Sequence, residues 1–467
     1  MQQIPVHQHN PKQVNGTIYV RLTRGFFQNL RRLISGSLIL MFFATAWINL
    51  DGEQIVLFDF YGRRIHLFGL KLSPQDLFLL AGFMIIGAVS LFAMAMAYSR
   101  IWCGFACPQS IWTWIFIRIE TLVEGSRNNR IKRDKQRLKA ANLTRRIVKH
   151  ALWLLVAAAT SITFIGYFVP VREIASDIIG LNISLEMFSW ILIFTLLTYV
   201  NAGLTREKVC LHMCPYARFQ SVMFDEDTRT VSYDQTRGEP RTNSVKTGSA
   251  KKISGGDCVD CKLCVHVCPT GIDIRDGLQA DCIACGACID VCDEVMDKLS
   301  KPRGLIRFIS ANTEQNKPSP VLRPRLVGYL VAILATFGYL VWEFNDRDQL
   351  LIEVLRDRQN IYRITGEGQI CNDYLLIAEN LSLDSTGFTV AISHEGGQNE
   401  RFELEGPGYL KLTQGKRNEF NYRVCAKQRD NAIEIEPRSN SEAMQFVLSA
   451  DGQFWQQQSS FIFPPQF

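Results

Sequence analysis

The chain has 467 residues, a formal net charge of +6, 47% hydrophobic and 21% charged residues, and 14 cysteines. So small a charge over this length gives no ground for a nucleic-acid partner, while the length suffices for two or three domains. The apolar residues stand in long blocks, which excludes a wholly soluble chain and points to membrane spans.

Residues 1–32 read as a cytoplasmic N-terminal segment. Met1–Asn15 is polar and lacks the short apolar core and small-residue cleavage site of a signal peptide, so His7 and His9 are expected in a solvated tail rather than at a metal. Arg21, Arg24, Arg31 and Arg32 precede Leu33–Leu50, the first run long enough to cross a bilayer. Asp51–Gln75 reads as a turn-rich loop and Asp76–Tyr98 as the second span. Trp112, Trp114 and Phe116 suit the headgroup region and a short interfacial helix. Ten Lys and Arg residues between Arg127 and Lys149 read as a loop kept inside by the positive-inside rule and close to anionic lipid. Ala151–Val169 and Met187–Gly203 are the third and fourth spans.

Spans two and four each run into a Cys-x3-Cys-Pro motif: Cys103, Cys107, Pro108 and Cys210, Cys214, Pro215. Both cysteines recur at an offset of 107 positions, so residues 33–224 are expected to be a four-span domain made from a duplicated two-helix unit. On a helix, this spacing puts two thiols on one face, one turn apart. Such a pair can hold a soft metal, copper(I) above all, or cycle between dithiol and disulfide. The two pairs meet either within one chain or across a homodimer. His212 and Met213 are copper-compatible as well, but Phe105 and Ala106 stand at the matching places, so simple packing or headgroup contact is the plainer reading.

Residues 225–325 are expected to be a cytoplasmic linker, Asp225–Lys252, followed by a ferredoxin-like α+β insert. Its cysteines run Cys258, Cys261, Cys264, Cys268, Pro269 and then Cys282, Cys285, Cys288, Cys292, the spacing of two-cluster ferredoxins. In that pattern the fourth cysteine of each run serves the other cluster. Cys258, Cys261, Cys264 and Cys292 are therefore assigned to one 4Fe–4S cluster, and Cys282, Cys285, Cys288 and Cys268 to the second. Thiols this close pair poorly as disulfides, and the doubled pattern is not the usual one for zinc sites.

Residues 326–342 form the fifth span. In residues 343–467, alternating runs at Tyr374–Ala378, Phe388–Ile392, Asn421–Cys425 and Met444–Leu448 predict a β-sandwich. With the first arginines and the basic loop inside, five crossings leave the insert inside and this domain outside. A Cys371–Cys425 disulfide is permitted there, two free thiols being the alternative.

The five-span layout, the twin motifs at Cys103/Cys107 and Cys210/Cys214, the double ferredoxin run and the β-rich tail resemble the FixG/CcoG/RdxA family over essentially the whole chain. These are accessory proteins for assembly of cbb-type cytochrome c oxidase. The twin motif is shared with NapH- and NosR-type membrane electron-transfer proteins, and the immunoglobulin-like tail is the specific part. The resemblance implies a multi-pass protein of the bacterial inner membrane, a five-span α-helical bundle carrying the ferredoxin insert and a periplasmic immunoglobulin-like β-sandwich. It further implies that Cu(II) is reduced to Cu(I), with the four membrane-edge cysteines as copper or redox residues. The implied partners are a cytoplasmic electron donor, a copper transporter or chaperone, and oxidase assembly factors. No dinucleotide glycine motif or c-type haem motif occurs in the sequence, so the electrons come from a partner. Quinol-linked electron transfer and a redox-sensing assembly scaffold are the alternatives.

Overall fold

The computed structural model describes residues 18–464 apart from 51, 61, 63, 73–75, 137–139, 242–254, 321, 346–348, 358–359, 366–368, 382–386, 394–400, 414–416 and 428–440. His7, His9 and residues 242–252 of the linker lie outside the described residues. The chain divides into two compact units, residues 1–341 and 342–467.

In the first unit, the described residues include five helices long and apolar enough to cross a membrane: Phe26–Trp47, Leu77–Tyr98, Asn142–Ile165, Leu185–Thr205 and Pro324–Asn345, the last running into the second unit. Their outer faces leave large apolar side chains such as Leu33, Met84, Leu155 and Leu334 exposed by 65–70%. Continuous apolar exposure of that kind is unfavourable in water and matches hydrocarbon. The core between the spans is aromatic. Phe116 stacks on Trp153 with ring centroids 5.3 Å apart, and Ala157 and Ala202 complete the cluster.

Four expectations change. Pro108–Glu124 is a 17-residue helix whose Phe116 is wholly buried, so Phe116 belongs to the core rather than to a headgroup belt, while Trp112 and Trp114 are half-buried. Asp51–Gln75 contains an antiparallel meander, Val56–Asp59, Arg64–Leu67 and Leu70–Leu72. Its second turn is made by Phe68 (φ 51°) and Gly69 (φ 87°), the left-handed pair that a two-residue hairpin requires. The third span begins at Asn142, ahead of the apolar run, because Arg146 and Lys149 are held by Asp134 (2.7 Å) and Glu124 (2.8 Å). Finally, the linker joins the insert's core: Thr230–Tyr233 pairs with Ile306–Ile309 and buries Val231 and Tyr233.

The second unit consists of two antiparallel sheets. One orders Phe402–Glu405, Arg417–Ala426, Ile370–Asn380 and Leu350–Arg356, with Arg363–Ile364 at the end of the third. The other orders Tyr409–Lys411, Gly387–Ser393, Ser441–Ala450 and Gln453–Ile462. All four expected runs lie in these strands. Alternate residues point inward, and Leu376, Phe388, Phe446 and Phe461 are wholly buried, each such side chain contributing about 1.5–3 kcal/mol. Cys371 and Cys425 face each other in register and are disulfide-bonded.

Candidate redox site at the membrane edge

The two Cys-x3-Cys-Pro motifs share one backbone. Ser99 (φ 50°, ψ −128°) and Arg206 (φ 44°, ψ −115°) each stand four residues before the first cysteine, in a conformation that costs a non-glycine residue roughly 1–3 kcal/mol. The Cys107 N–H donates to Trp102 O and the Cys214 N–H to Val209 O, both at 2.9 Å. Cys107 and Cys214 are then extended, and Pro108 and Pro215 open the next helices. Proline suits a first helical position because its missing N–H would be unpaired there anyway. The expected picture of two thiols on one face of one helix is therefore corrected: in each pair the second cysteine is the residue before a new helix. Thr205-Arg206 lies one residue farther from Cys210 than Ser99-Arg100 lies from Cys103, and the second copy carries π-helical turns at Val200–Thr205 and Val209–Met213. A wider turn absorbs one extra residue without shifting the following element.

Inside a single chain, Cys103 comes within electrostatic reach of Cys107, Cys210 and Cys214, and Cys210 of Cys107 and Cys214. Burial, with Cys107 beside it, pushes the Cys103 thiol up to about 12, and burial likewise pushes Cys210 up to about 11. These thiols are neutral at pH 7 until a cation or an oxidant displaces the proton. The copies interlock: Cys103 Sγ donates to Gln220 Oε1 at 3.5 Å, Arg100 donates to Ala217 O, and Gln109 donates to the carbonyls of Asn201 and Arg206. His212 is exposed and Met213 is 70% exposed. Among the described residues, no three His, Cys, Asp or Glu side chains converge on a single-ion site.

The ferredoxin run is also a repeat, with an offset of 24. Asp260 and Ala284 (φ 46° and 51°) and Lys262 and Gly286 (φ 56° and 71°) are left-handed at matching places. Those residues curl the backbone so that three closely spaced cysteines face one volume. One cavity is bordered by Cys258, Cys261, Cys264 and Cys292 together, with Arg275. We call this the outer set, because Cys261 is exposed. Cys288 interacts electrostatically with Cys285, Cys282 and Cys268, the inner set, ahead of Cys264 of the outer set. Each run's fourth cysteine thus sits with the other run. Burial pushes Cys264, Cys282 and Cys292 up to about 12. Thiols in so apolar a shell need cations to become thiolates, so the donor set fits an iron–sulfur centre.

The two systems touch. A Cβ on Gly104, inside the first motif, would lie 2.7 Å from Ile283 O and 2.9 Å from Cys285 Cα. Cys103 shares an apolar cluster with Val267, Ile283 and Cys285. The first span docks on the same loop: Gln28 Nε2 donates to Cys285 O at 3.3 Å, and Asp290 accepts from the backbone N–H groups of Phe27 (3.1 Å) and Gln28 (2.8 Å). A carboxylate there satisfies unpaired donors at the positive end of the helix. Gly104 and Asp290 were not singled out from the sequence; a glycine between two such cysteines was the available signal.

Comparison with known proteins follows this division. A model described as a 4Fe-4S dicluster domain matches residues 205–311, and one described as an IG-like fold at the C-terminal of FixG matches residues 340–464. The chain is 34% identical to nitrogen fixation protein FixG of Rhizobium meliloti over 417 residues, 81% of this chain and 79% of that one. It is 35% identical to protein RdxA of Cereibacter sphaeroides over 411 residues, 85% of this chain and 86% of that one. Protein RdxB of the same organism is 34% identical over 393 residues, 81% and 82% of the two chains.

Proposed function

Since the chain belongs to the FixG/RdxA family and is a multi-pass membrane iron–sulfur redox protein, we propose that it is a cupric reductase serving assembly of a cbb-type cytochrome c oxidase. In this reading Cys258, Cys261, Cys264 and Cys292 hold one 4Fe–4S cluster and Cys268, Cys282, Cys285 and Cys288 the other. Bound clusters supply one-electron storage. Cys103, Cys107, Cys210 and Cys214 receive Cu(II) as substrate, which takes up one electron and leaves as Cu(I), the ion that soft thiols prefer. His212 and Met213, both exposed, are the ligands by which copper enters or leaves. The observation that carries the reading is the contact of the Gly104 backbone with Ile283 and Cys285, which sets the membrane-edge thiols against the inner set.

The basic residues before span one and between spans two and three favour the bacterial inner membrane with the insert on the cytoplasmic side. Five crossings and the Cys371–Cys425 disulfide favour a periplasmic C-terminal domain. The partners are then a cytoplasmic donor, a copper transporter or chaperone, oxidase assembly factors and membrane lipid. The test is anaerobic addition of Cu(II) to reduced protein, with Cu(I) captured by a chromogenic chelator. Cys103→Ser and Cys214→Ser are expected to abolish capture; an unchanged yield from both sinks the reading.

A quinol-linked reaction has one observation behind it. A cavity bordered by Leu22, Trp114 and Ile117, with Arg31, Thr113 and Cys210 as its polar side, lies between the first span and the inner set. Reduction of the iron–sulfur signals by a soluble quinol, with no dependence on copper, would favour it.

A further inference from the structure

The two ligand sets stand in opposite electrostatic surroundings. Beside the outer set, Arg275 is already committed, at 2.5 Å to Asp260 and 2.6 Å to Asp273, and Asp293 adjoins Cys292. Two carboxylates thus hold one guanidinium, while Asp293 accepts from the Gly304 N–H and Lys262 is exposed at the rim. Beside the inner set stand two arginines that are 6–7% exposed and have no carboxylate partner among the described residues. Arg100 borders a small cavity together with Cys282 and donates to Ala217 O. Arg31 makes one long hydrogen bond, 3.4 Å to Ser110 O, and borders a cavity with Ile283 and Ala287, each two residues from Cys285. Three carboxylates lie on this side: Glu207 borders the same cavity as Arg31, next to Arg206 and Lys208 in the chain, and makes no ion pair with Arg31. Asp290 is taken up by the N–H groups of Phe27 and Gln28, and Asp281 is half-exposed.

A buried guanidinium without a counter-ion is strongly destabilising unless something anionic completes it. Four thiolates around a 4Fe–4S core carry net negative charge, and one further negative charge on reduction. We propose that Arg31 and Arg100 are the fixed counter-charges of the inner set, and that they hold its reduction potential above that of the outer set. This rests on the assignment of the eight cysteines to two clusters. The consequence is direction. One electron leaves the outer set and enters the inner, the outer being oxidised and the inner reduced, with no bond or proton moved, and it ends beside Cys103. Water at the exposed Cys261 acts in the opposite sense by solvating reduced charge, but a screened solvent dipole is weaker than two unpaired cations in a dry shell.

The test is an EPR-monitored redox titration of the full-length purified protein, with iron content measured alongside. Cys261→Ser, at the exposed ligand, marks which signal belongs to the outer set. The inner signal is expected first on reduction. Arg31→Gln and Arg100→Gln are expected to shift its midpoint downward while the outer midpoint stays in place, and together to reverse the order. If a glutamine variant loses inner iron, the lysine variants carry the test, since they keep the charge without the fork. Full iron and an inner midpoint above the outer in Arg31→Lys and Arg100→Lys supports the proposal. Iron loss in the lysine variants too would make the arginines packing pieces and overturn it. An unshifted inner midpoint in iron-replete glutamine variants, or an outer set reduced first in the unaltered protein, also overturns it. Fewer than about eight irons in the unaltered protein would instead overturn the two-cluster assignment beneath it.

Discussion

The two Cys-x3-Cys-Pro copies have the same backbone and different neighbours. Both begin at a strained residue, close a turn with an N–H donated five residues back, and end at a proline that starts a helix. In the first copy Cys103 is buried, and Gly104 lies against the backbone of the inner ligand loop. In the second, Leu211 stands where Gly104 does, and His212 and Met213 are exposed. The difference teaches that duplication supplied the thiol geometry, while single residues specialised one copy to face the electron source and left the other open. Charge follows the same split. Arg206 of the second copy is paired with Glu120 at 3.1 Å and lies over the Trp153 ring, whereas Arg100 of the first has no carboxylate among the described residues and lies beside Cys282.

The largest effect should come from removing that asymmetry at Gly104. A valine there meets two backbone groups below 3.0 Å, and backbone cannot move aside as a flexible side chain can. Gly104→Val is expected to cost about half of the bound iron, the share held by the inner set, while Leu211→Ala in the second copy leaves iron content unchanged. Iron analysis of the two purified variants checks this, and equal losses would show that the copies are equivalent. Next in size is Glu120→Gln. Glu120 is buried and pairs with Arg130 at 2.8 Å as well as with Arg206, so its loss strands buried cations at a cost of roughly 3–5 kcal/mol. A lower thermal midpoint in detergent, with iron lost only on unfolding, is the expected outcome.

What could be read from the sequence was whatever spacing alone dictates. Eight cysteines in a doubled pattern name their own chemistry, and the cross-exchange of Cys268 and Cys292 follows from it. The 107-residue offset likewise exposed the repeat, and β-rich runs separated by turn residues marked the strands around Leu376 and Phe446. What was missed depends on tertiary neighbours. Phe116 looks like an interfacial aromatic until Trp153 is found stacked on it. Arg130 looks like one of ten solvated cations until Glu120 is found beneath it. The π-helical turns leave a trace only as a one-residue mismatch between the copies. Asp290 lies 262 residues from Gln28, and no local pattern announces a cap supplied from so far along the chain.

That remote cap gives the next effect in size. Asp290→Ala removes the acceptor for two N–H groups of the first span, worth about 1 kcal/mol in the manner of an N-cap. Looser docking of the insert should appear as faster hydrogen exchange at Phe27 and Gln28, with both sets still loaded; unchanged exchange would mean that Gln28 and Cys285 hold the junction unaided. The smallest effect on the fold belongs to the open copy. His212→Ala and Met213→Ala remove exposed side chains, and surface changes of this kind stay within about 0.5 kcal/mol. Stability, iron content and reduction of the clusters should therefore match the unaltered protein, whereas release of Cu(I) to a chelator should slow if these two side chains line the exit. A fall in iron content in either variant would mean that the second copy, too, supports the inner set, and the division of labour between the copies would have to be abandoned.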